Sequence, residues 1–105
     1  IDSNNRIYAN ELAPRVHNSG HITLDNSNYS QFDQHVRAVC GLDLINSISL
    51  TKGVMRNLIG QDITKISKIS KDKKYRSYSK AKKYSYNKNE VKEGRKMGHL
   101  NFVKI

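Results

Sequence analysis

Asn10-Glu11-Leu12-Ala13-Pro14-Arg15-Val16-His17-Asn18-Ser19-Gly20-His21 decides how this chain is read, because residues 11–21 gather a carboxylate, a guanidinium, two imidazoles, an amide and a hydroxyl. Just upstream, Ile7, Ala9 and Glu11 alternate with Tyr8, Asn10 and Leu12 after the turn-forming Asp2-Ser3-Asn4-Asn5, which predicts a strand over Arg6–Ala13 that stops at Pro14. Pro14 to His21 then reads as a polar loop, with Gly20 free to take a positive φ. Each side chain suits ligand chemistry. A carboxylate such as Glu11 can hold Mg²⁺ beside nucleotide phosphates, Arg15 can clamp a planar oxyanion through two parallel hydrogen bonds, and His17, Asn18 and Ser19 can orient a small acid or a proton. The alternative is a solvated turn capped by Asn18 and Ser19. His17 and His21 would suit a metal if they lay on a helix, but Asn18-Ser19-Gly20 disfavours a helix there and no third soft ligand is near.

Downstream, Tyr29, Phe32, Val36, Val39 and Cys40 recur at helical spacing between Ser27 or Asn28, as the start, and Gly41, which sits at a C′ position. Cys40 on that face is expected to be a buried small hydrophobe. Leu42–Leu44 reads as a linker, and Ile48–Ile59 as a strand ended by Gly60, with Gly53 marking a bulge. Ile63, Ile66 and Ile69 line one face if that segment is helical, or belong to a loop. Lys83–Asn87 and Arg95–Ile105 read as a hairpin around residues 89–94.

The chain has 105 residues, 36% of them hydrophobic and 27% charged, enough for one small polar domain with a modest core. Its net charge of +10 is unevenly placed. In residues 1–60, Arg6, Arg15, Arg37, Lys52 and Arg56 are matched by Asp2, Glu11, Asp25, Asp33 and Asp43, so the whole excess falls on residues 61–105. This divides the chain at 60/61. Within the basic part, Lys71 to Tyr86 interleaves cations with tyrosines, as nucleic-acid contacts would, or as an ordinary lysine-rich surface would. Cys40 is the only cysteine, which excludes an internal disulfide and a zinc knuckle and fits a reducing, cytoplasmic setting. No apolar run approaches the length of about 20 residues needed to span a bilayer. The start at Ile1, without Met or a targeting segment, is expected to mark a piece of something longer.

Residues 10–21, the block Ser30-Gln31-Phe32-Asp33-Gln34-His35-Val36-Arg37-Ala38-Val39-Cys40-Gly41-Leu42, the block Gly94-Arg95-Lys96-Met97-Gly98-His99 and the shorter Asn57-Leu58-Ile59-Gly60 occur in one order. In that order they resemble the C-terminal part of N5-carboxyaminoimidazole ribonucleotide synthases, the ATPase subunits of phosphoribosylaminoimidazole carboxylase, in the ATP-grasp superfamily. A formate-dependent transformylase family is close, but typically has Asp-Thr-Gly where this chain has Asn18-Ser19-Gly20. The resemblance implies an α+β chain: residues 1–60 as the C-terminal end of an ATP-grasp domain and residues 61–105 as a small basic, β-rich C-terminal subdomain. It implies an ATP-dependent carbon–nitrogen ligase of purine biosynthesis that uses bicarbonate, with Mg²⁺ and ATP in the complete enzyme and neither bound nor turned over by this chain alone.

In residue terms, the resemblance implies Glu11 as a Mg²⁺ ligand, Arg15 and His17 as catalytic groups facing bicarbonate or carboxyphosphate, and Asn18 and Ser19 as substrate-orienting. Lys88 and Arg95 are implied to hold the phosphate of aminoimidazole ribonucleotide. Tyr86-Asn87-Lys88 stands for the family's Tyr-Gly-Lys, Asn being next best to Gly in a left-handed turn. Lys92-Glu93-Gly94 stands for Arg-Pro-Gly. A homodimer is expected from the resemblance and from Ile1–Leu12 as an edge strand open to pairing. No membrane contact is expected. A small nucleic-acid-binding module is the competing class.

Overall fold

Two stretches, Gly53–Ile59 (β1) and Lys96–Val103 (β3), carry the residues that hold the fold together, and a shorter strand, Lys82–Ser85 (β2), completes an antiparallel sheet in the order β1-β3-β2. The structure, a computed structural model, describes residues 1–79 and 81–104. Lys80, in the basic stretch, and Ile105, at the end of the expected hairpin strand, lie outside the described residues. The β2–β3 hairpin forms as the sequence predicts, with Tyr84 opposite His99 and Lys83 opposite Leu100. Asn87 and Gly94 take positive φ values of 49° and 72° in its connection.

Strand alternation gives this sheet two unlike faces. Val54 faces Phe102 across β1 and β3, and Leu58 faces Gly98, so Val54, Leu58, Leu100 and Phe102 share one side. Tyr75 closes that side by stacking on Phe102, ring centroids 3.9 Å apart and 9° from parallel. Ile63, Ile66 and Ile69 pack onto the same cluster, from the 3-10 turn Gly60–Thr64 and the short helix Ile66–Ser70. The helical reading of those isoleucines therefore holds, and each, being partly buried, contributes a fraction of the roughly 1.5–3 kcal/mol of a fully buried aliphatic side chain. The other side carries Asn57, which faces His99, and Asn101, which faces Met55 and Lys82. Both His99 and Asn101 are buried.

Over this polar side lie the 3-10 turn Asn18–Ile22 and the helix α1 (Thr23–Asn26), followed by α2 (Gln31–Val39). α2 starts at Ser30, not at Ser27 or Asn28. Ser30 accepts from the Asp33 amide while Asp33 accepts from the Ser30 amide, a complete capping box. Its end matches expectation: Gly41 has φ 67°, and Leu42 N–H bonds Arg37 C=O at 2.9 Å, the long bond of a Schellman motif.

Four readings are corrected. Arg6–Ala13 is not a strand, because no described segment pairs with it and the Asp2 carboxylate folds the stretch locally, accepting from the Asn4 and Arg6 amides, Arg6 Nε and the Tyr8 hydroxyl. Ile7 and Leu12 are exposed there. The strand expected over Ile48–Ile59 begins only at Gly53, since Asn28 N–H and Leu50 N–H are spent on Ile48 C=O and Asn26 C=O. Gly53 marks no bulge; the register shift falls between Leu58 and Ile59. Cys40 is exposed rather than buried, as are Val36 and Val39 on the same face of α2, which turns away from the sheet. Across the 60/61 division drawn from charge, β1 pairs with β3.

Candidate functional site

Gln31 shapes the polar loop. Its Oε1 accepts from the His17 N–H at 2.9 Å and its Nε2 donates to the His17 C=O at 2.8 Å, so one side chain imitates a neighbouring strand. The same Nε2 lies 2.7 Å from His21 Nδ1. Because that nitrogen can only donate, His21 Nδ1 is the acceptor and its proton sits on Nε2. Burial, His17 and Lys96 all push the His21 pKa down, which keeps it neutral. Gly20 does not use a positive φ. A Cβ there would run into the Gln31 carboxamide, so glycine permits the clamp. The turn that this clamp holds is a 3-10 turn, in a stretch where no helix was expected.

Glu11, Ala13, His17 and Ser19 line one shallow cleft of about 290 Å³. His17 Nδ1 pairs with Ser19 Oγ at 2.7 Å. Arg15 lines a separate cleft with Gln31, Gln34 and His35, and its Nη1 donates to Val16 C=O. Asn18 turns the other way, onto the sheet. Its Oδ1 accepts from Asn57 Nδ2 at 2.8 Å and lies 3.5 Å from Lys96 Nζ, and its Nδ2 donates to the Tyr86 hydroxyl at 3.3 Å. Lys88 Nζ donates to Lys96 C=O at 2.8 Å and stands 5.7 Å from the Tyr86 ring centroid. Arg95 Nη1 donates to Glu90 C=O within its own loop. The structure thus brings Glu11, His17 and Ser19 together, sets Asn18 and Lys88 around Lys96, and leaves Arg15 and Arg95 apart from both groups. Among the described residues no three His, Cys, Asp or Glu side chains gather as a metal site.

Beneath the loop lies a buried polar cluster. Asp25, with its side chain only 1% exposed, receives Lys82 Nζ at 2.7 Å, Asn101 Nδ2 at 2.7 Å and the Tyr84 hydroxyl at 3.0 Å. Burial raises its pKa, but the bonds from Lys82, Asn101 and Tyr84 outweigh that and hold the carboxyl below its usual range. Asn101 Nδ2 also donates to His21 C=O, tying the loop to β3. His99 stacks on Tyr84 at 4.7 Å, lies 5.0 Å from the His21 ring, and meets the Tyr86 hydroxyl through Nδ1 at 2.9 Å. Burial and the neighbouring His21 push its pKa down to about 4, against a smaller upward pull from Asp25.

Gln31, Asn57, Tyr86, Lys96, His99 and Asn101 were not among the predicted site residues. The available signal was period two: His99 and Asn101 fall on the side of the strand opposite Leu100 and Phe102. The tyrosines of the basic stretch also face inward, with Tyr75 on Phe102, Tyr84 on Asp25 and Tyr86 on His99. This takes away the base-stacking half of the nucleic-acid alternative.

Comparison with known proteins defines the class. Residues 53–104 match the phosphoribosylaminoimidazole carboxylase C-terminal domain, and residues 2–32 match the ATP-grasp domain. The chain is 46% identical over 104 residues to the N5-carboxyaminoimidazole ribonucleotide synthase of Bacillus subtilis (strain 168), covering 99% of this chain and 26% of that protein. The crystal structure of N5-carboxyaminoimidazole synthetase from Staphylococcus aureus superposes with a TM-score of 0.78 at 41% identity, over 99% of this chain and 27% of that one. The N5-carboxyaminoimidazole synthase of Aspergillus clavatus, in complex with ADP and 5-aminoimidazole ribonucleotide, gives a TM-score of 0.67 at 34% identity, over 85% of this chain and 24% of that one. The chain is an ATP-grasp segment joined to a carboxylase C-terminal domain, an α+β arrangement. It belongs to the N5-carboxyaminoimidazole ribonucleotide synthase family and spans about a quarter of the length of the curated relatives it matches.

Proposed function

We propose that this chain is part of an ATP-dependent carbon–nitrogen ligase that joins bicarbonate to the amine of 5-aminoimidazole ribonucleotide, releasing ADP and phosphate, in purine biosynthesis. The observation that carries this is the 46% identity, along 99% of the chain, to a synthase named for that product. In this reading a bicarbonate oxygen takes the γ-phosphoryl group of ATP. The substrate amine then attacks the carboxyl carbon, and phosphate leaves with the C–O electron pair. His17 and Ser19, paired at 2.7 Å, would face the bicarbonate, and the Arg15 guanidinium would close over the developing oxyanion. Lys88, beside Lys96, would hold the ribonucleotide phosphate, and Arg95 would leave its Glu90 bond to join them. Asn18 has its Oδ1 committed to Asn57 and Lys96, so it orients substrate mainly by fixing the loop.

Glu11 is a single exposed carboxylate, which fits Mg²⁺ as an ion shared with nucleotide phosphates, where it would supply one oxygen and the ion would offset phosphate charge. Homodimerisation belongs to the same proposal and is read by sedimentation. Among the described residues no helix is long and apolar enough to cross a membrane.

The test is ADP release by the intact protein. It should require bicarbonate and aminoimidazole ribonucleotide together, fall about a hundredfold or more in Arg15→Ala, and be absent from the 105-residue chain assayed by itself. ADP release indifferent to the ribonucleotide would refute the reading.

A further inference from the structure

We infer that His99 is a positioning residue: as a neutral imidazole protonated on Nε2, it accepts the Tyr86 hydroxyl proton and thereby fixes the Asn18 amide and the loop behind it. The direction of each bond follows from the partners. Lys96 Nζ can only donate, so the Asn18 atom beside it is the carbonyl oxygen, and the atom facing Tyr86 is the NH₂. The Tyr86 oxygen therefore accepts from Asn18, which leaves its own proton for His99 Nδ1, 2.9 Å away. With that bond made, His99 Nδ1 is bare and its proton sits on Nε2, which is buried with no partner among the described residues.

The surroundings maintain that state. His99 is 2% exposed and stacks on Tyr84, whose hydroxyl is held by Asp25. The titratable groups facing it are His21, Asp25, Tyr84 and Tyr86, while His17 and Lys96 act on it through His21. Burial and His21 both oppose a charge on the ring, and Asp25 favours one more weakly. A second proton, on Nδ1, would leave two donors face to face and release Tyr86 from its present bond. The Tyr86 side of Asn18's tie to the hairpin would then loosen, leaving Lys96 Nζ on Asn18 Oδ1.

The first test is independent of the proposed reaction. In the intact protein with ¹⁵N-labelled histidine, long-range ¹H–¹⁵N spectra should show His99 Nδ1 without a proton and Nε2 with one down to about pH 5, and Tyr86→Phe should shift the His99 titration upward, because the bond to the neutral ring is gone. A protonated Nδ1, or a titration near 6.5 unchanged by Tyr86→Phe, overturns the assignment whether or not the protein carboxylates anything.

The second test rests on the proposed function. His99→Leu should lower kcat about tenfold by leaving the Tyr86 hydroxyl unpaired, and His99→Asn, which keeps an acceptor near Nδ1, should recover most of that loss and flatten the acid limb of the pH profile. His99→Leu with the parent's kcat, or His99→Asn as poor as His99→Leu in a protein that remains folded by circular dichroism, overturns the positioning role.

Discussion

The two faces of β3 belong to one strand and do different work. On one side Leu100 and Phe102 meet Leu58 and Tyr75 and exclude water, a non-directional contact that tolerates small shifts. On the other, His99 stacks on Tyr84, and His99 and Asn101 meet Tyr86, Asp25 and the loop through bonds of 2.7–3.0 Å, a directional contact that fixes atoms. The apolar face supplies the stability that lets the polar face be buried. The polar face in turn transmits the sheet's rigidity to His17–His21, where precision is useful.

This contrast orders the expected effects. Phe102→Ala removes the ring on which Tyr75 stacks and should cost about 3–5 kcal/mol in urea unfolding. If it costs no more than a surface change, the apolar cluster is not the core.

Next comes acid. A neutral buried His99 with a pKa of about 4 is protonated more readily in the unfolded chain, at about 6.5, so stability should fall by about 3 kcal/mol as pH drops from 6.5 to 4 and then level off for this group. Asp25 behaves in a lower window. Its carboxyl pKa is depressed, so its contribution is complete above the usual carboxylate range and is lost only as pH falls below that range. Unfolding free energies across pH 7 to about 2 would show the two windows, and His99→Asn should shrink the upper one, to which His21 also contributes.

Asp25→Ala is smaller, at about 1–3 kcal/mol, because it orphans the Tyr84 hydroxyl and leaves Asn101 Nδ2 only its bond to His21 C=O, while Lys82 returns to water. Lys82→Met should cost somewhat less than Asp25→Ala, since Asn101 and Tyr84 still hold the buried Asp25 carboxylate once its cation is gone. Smallest is Lys74→Ala, within about 0.5 kcal/mol, as for a surface position. A large loss there would mean that the basic stretch is more than a solvated surface.

Much of this was legible from local pattern. Gly41 past the end of α2, Asn87 and Gly94 in the hairpin connection, the Ile63, Ile66 and Ile69 spacing, and the density of functional groups in residues 11–21 all speak through neighbours in sequence. The polar face does not. That Asn101 would be buried depends on Asp25 and His21, brought over from the other end of the chain, and no period-two pattern distinguishes a solvated asparagine from a buried one. Arg6–Ala13 misled for the opposite reason. Its alternation was real, but alternation makes a strand only where a neighbour takes its backbone groups; Asp2 takes those of Arg6, and no described strand pairs with the rest.

The functional claim is tested most directly by following the carbon. With ¹³C-labelled bicarbonate, ATP and 5-aminoimidazole ribonucleotide, the intact protein should produce a new carbamate carbon resonance at the rate at which ADP appears, and none without ATP. ADP appearing while the label stays in bicarbonate, or a label accepted from formate instead, would contradict the carboxylating assignment.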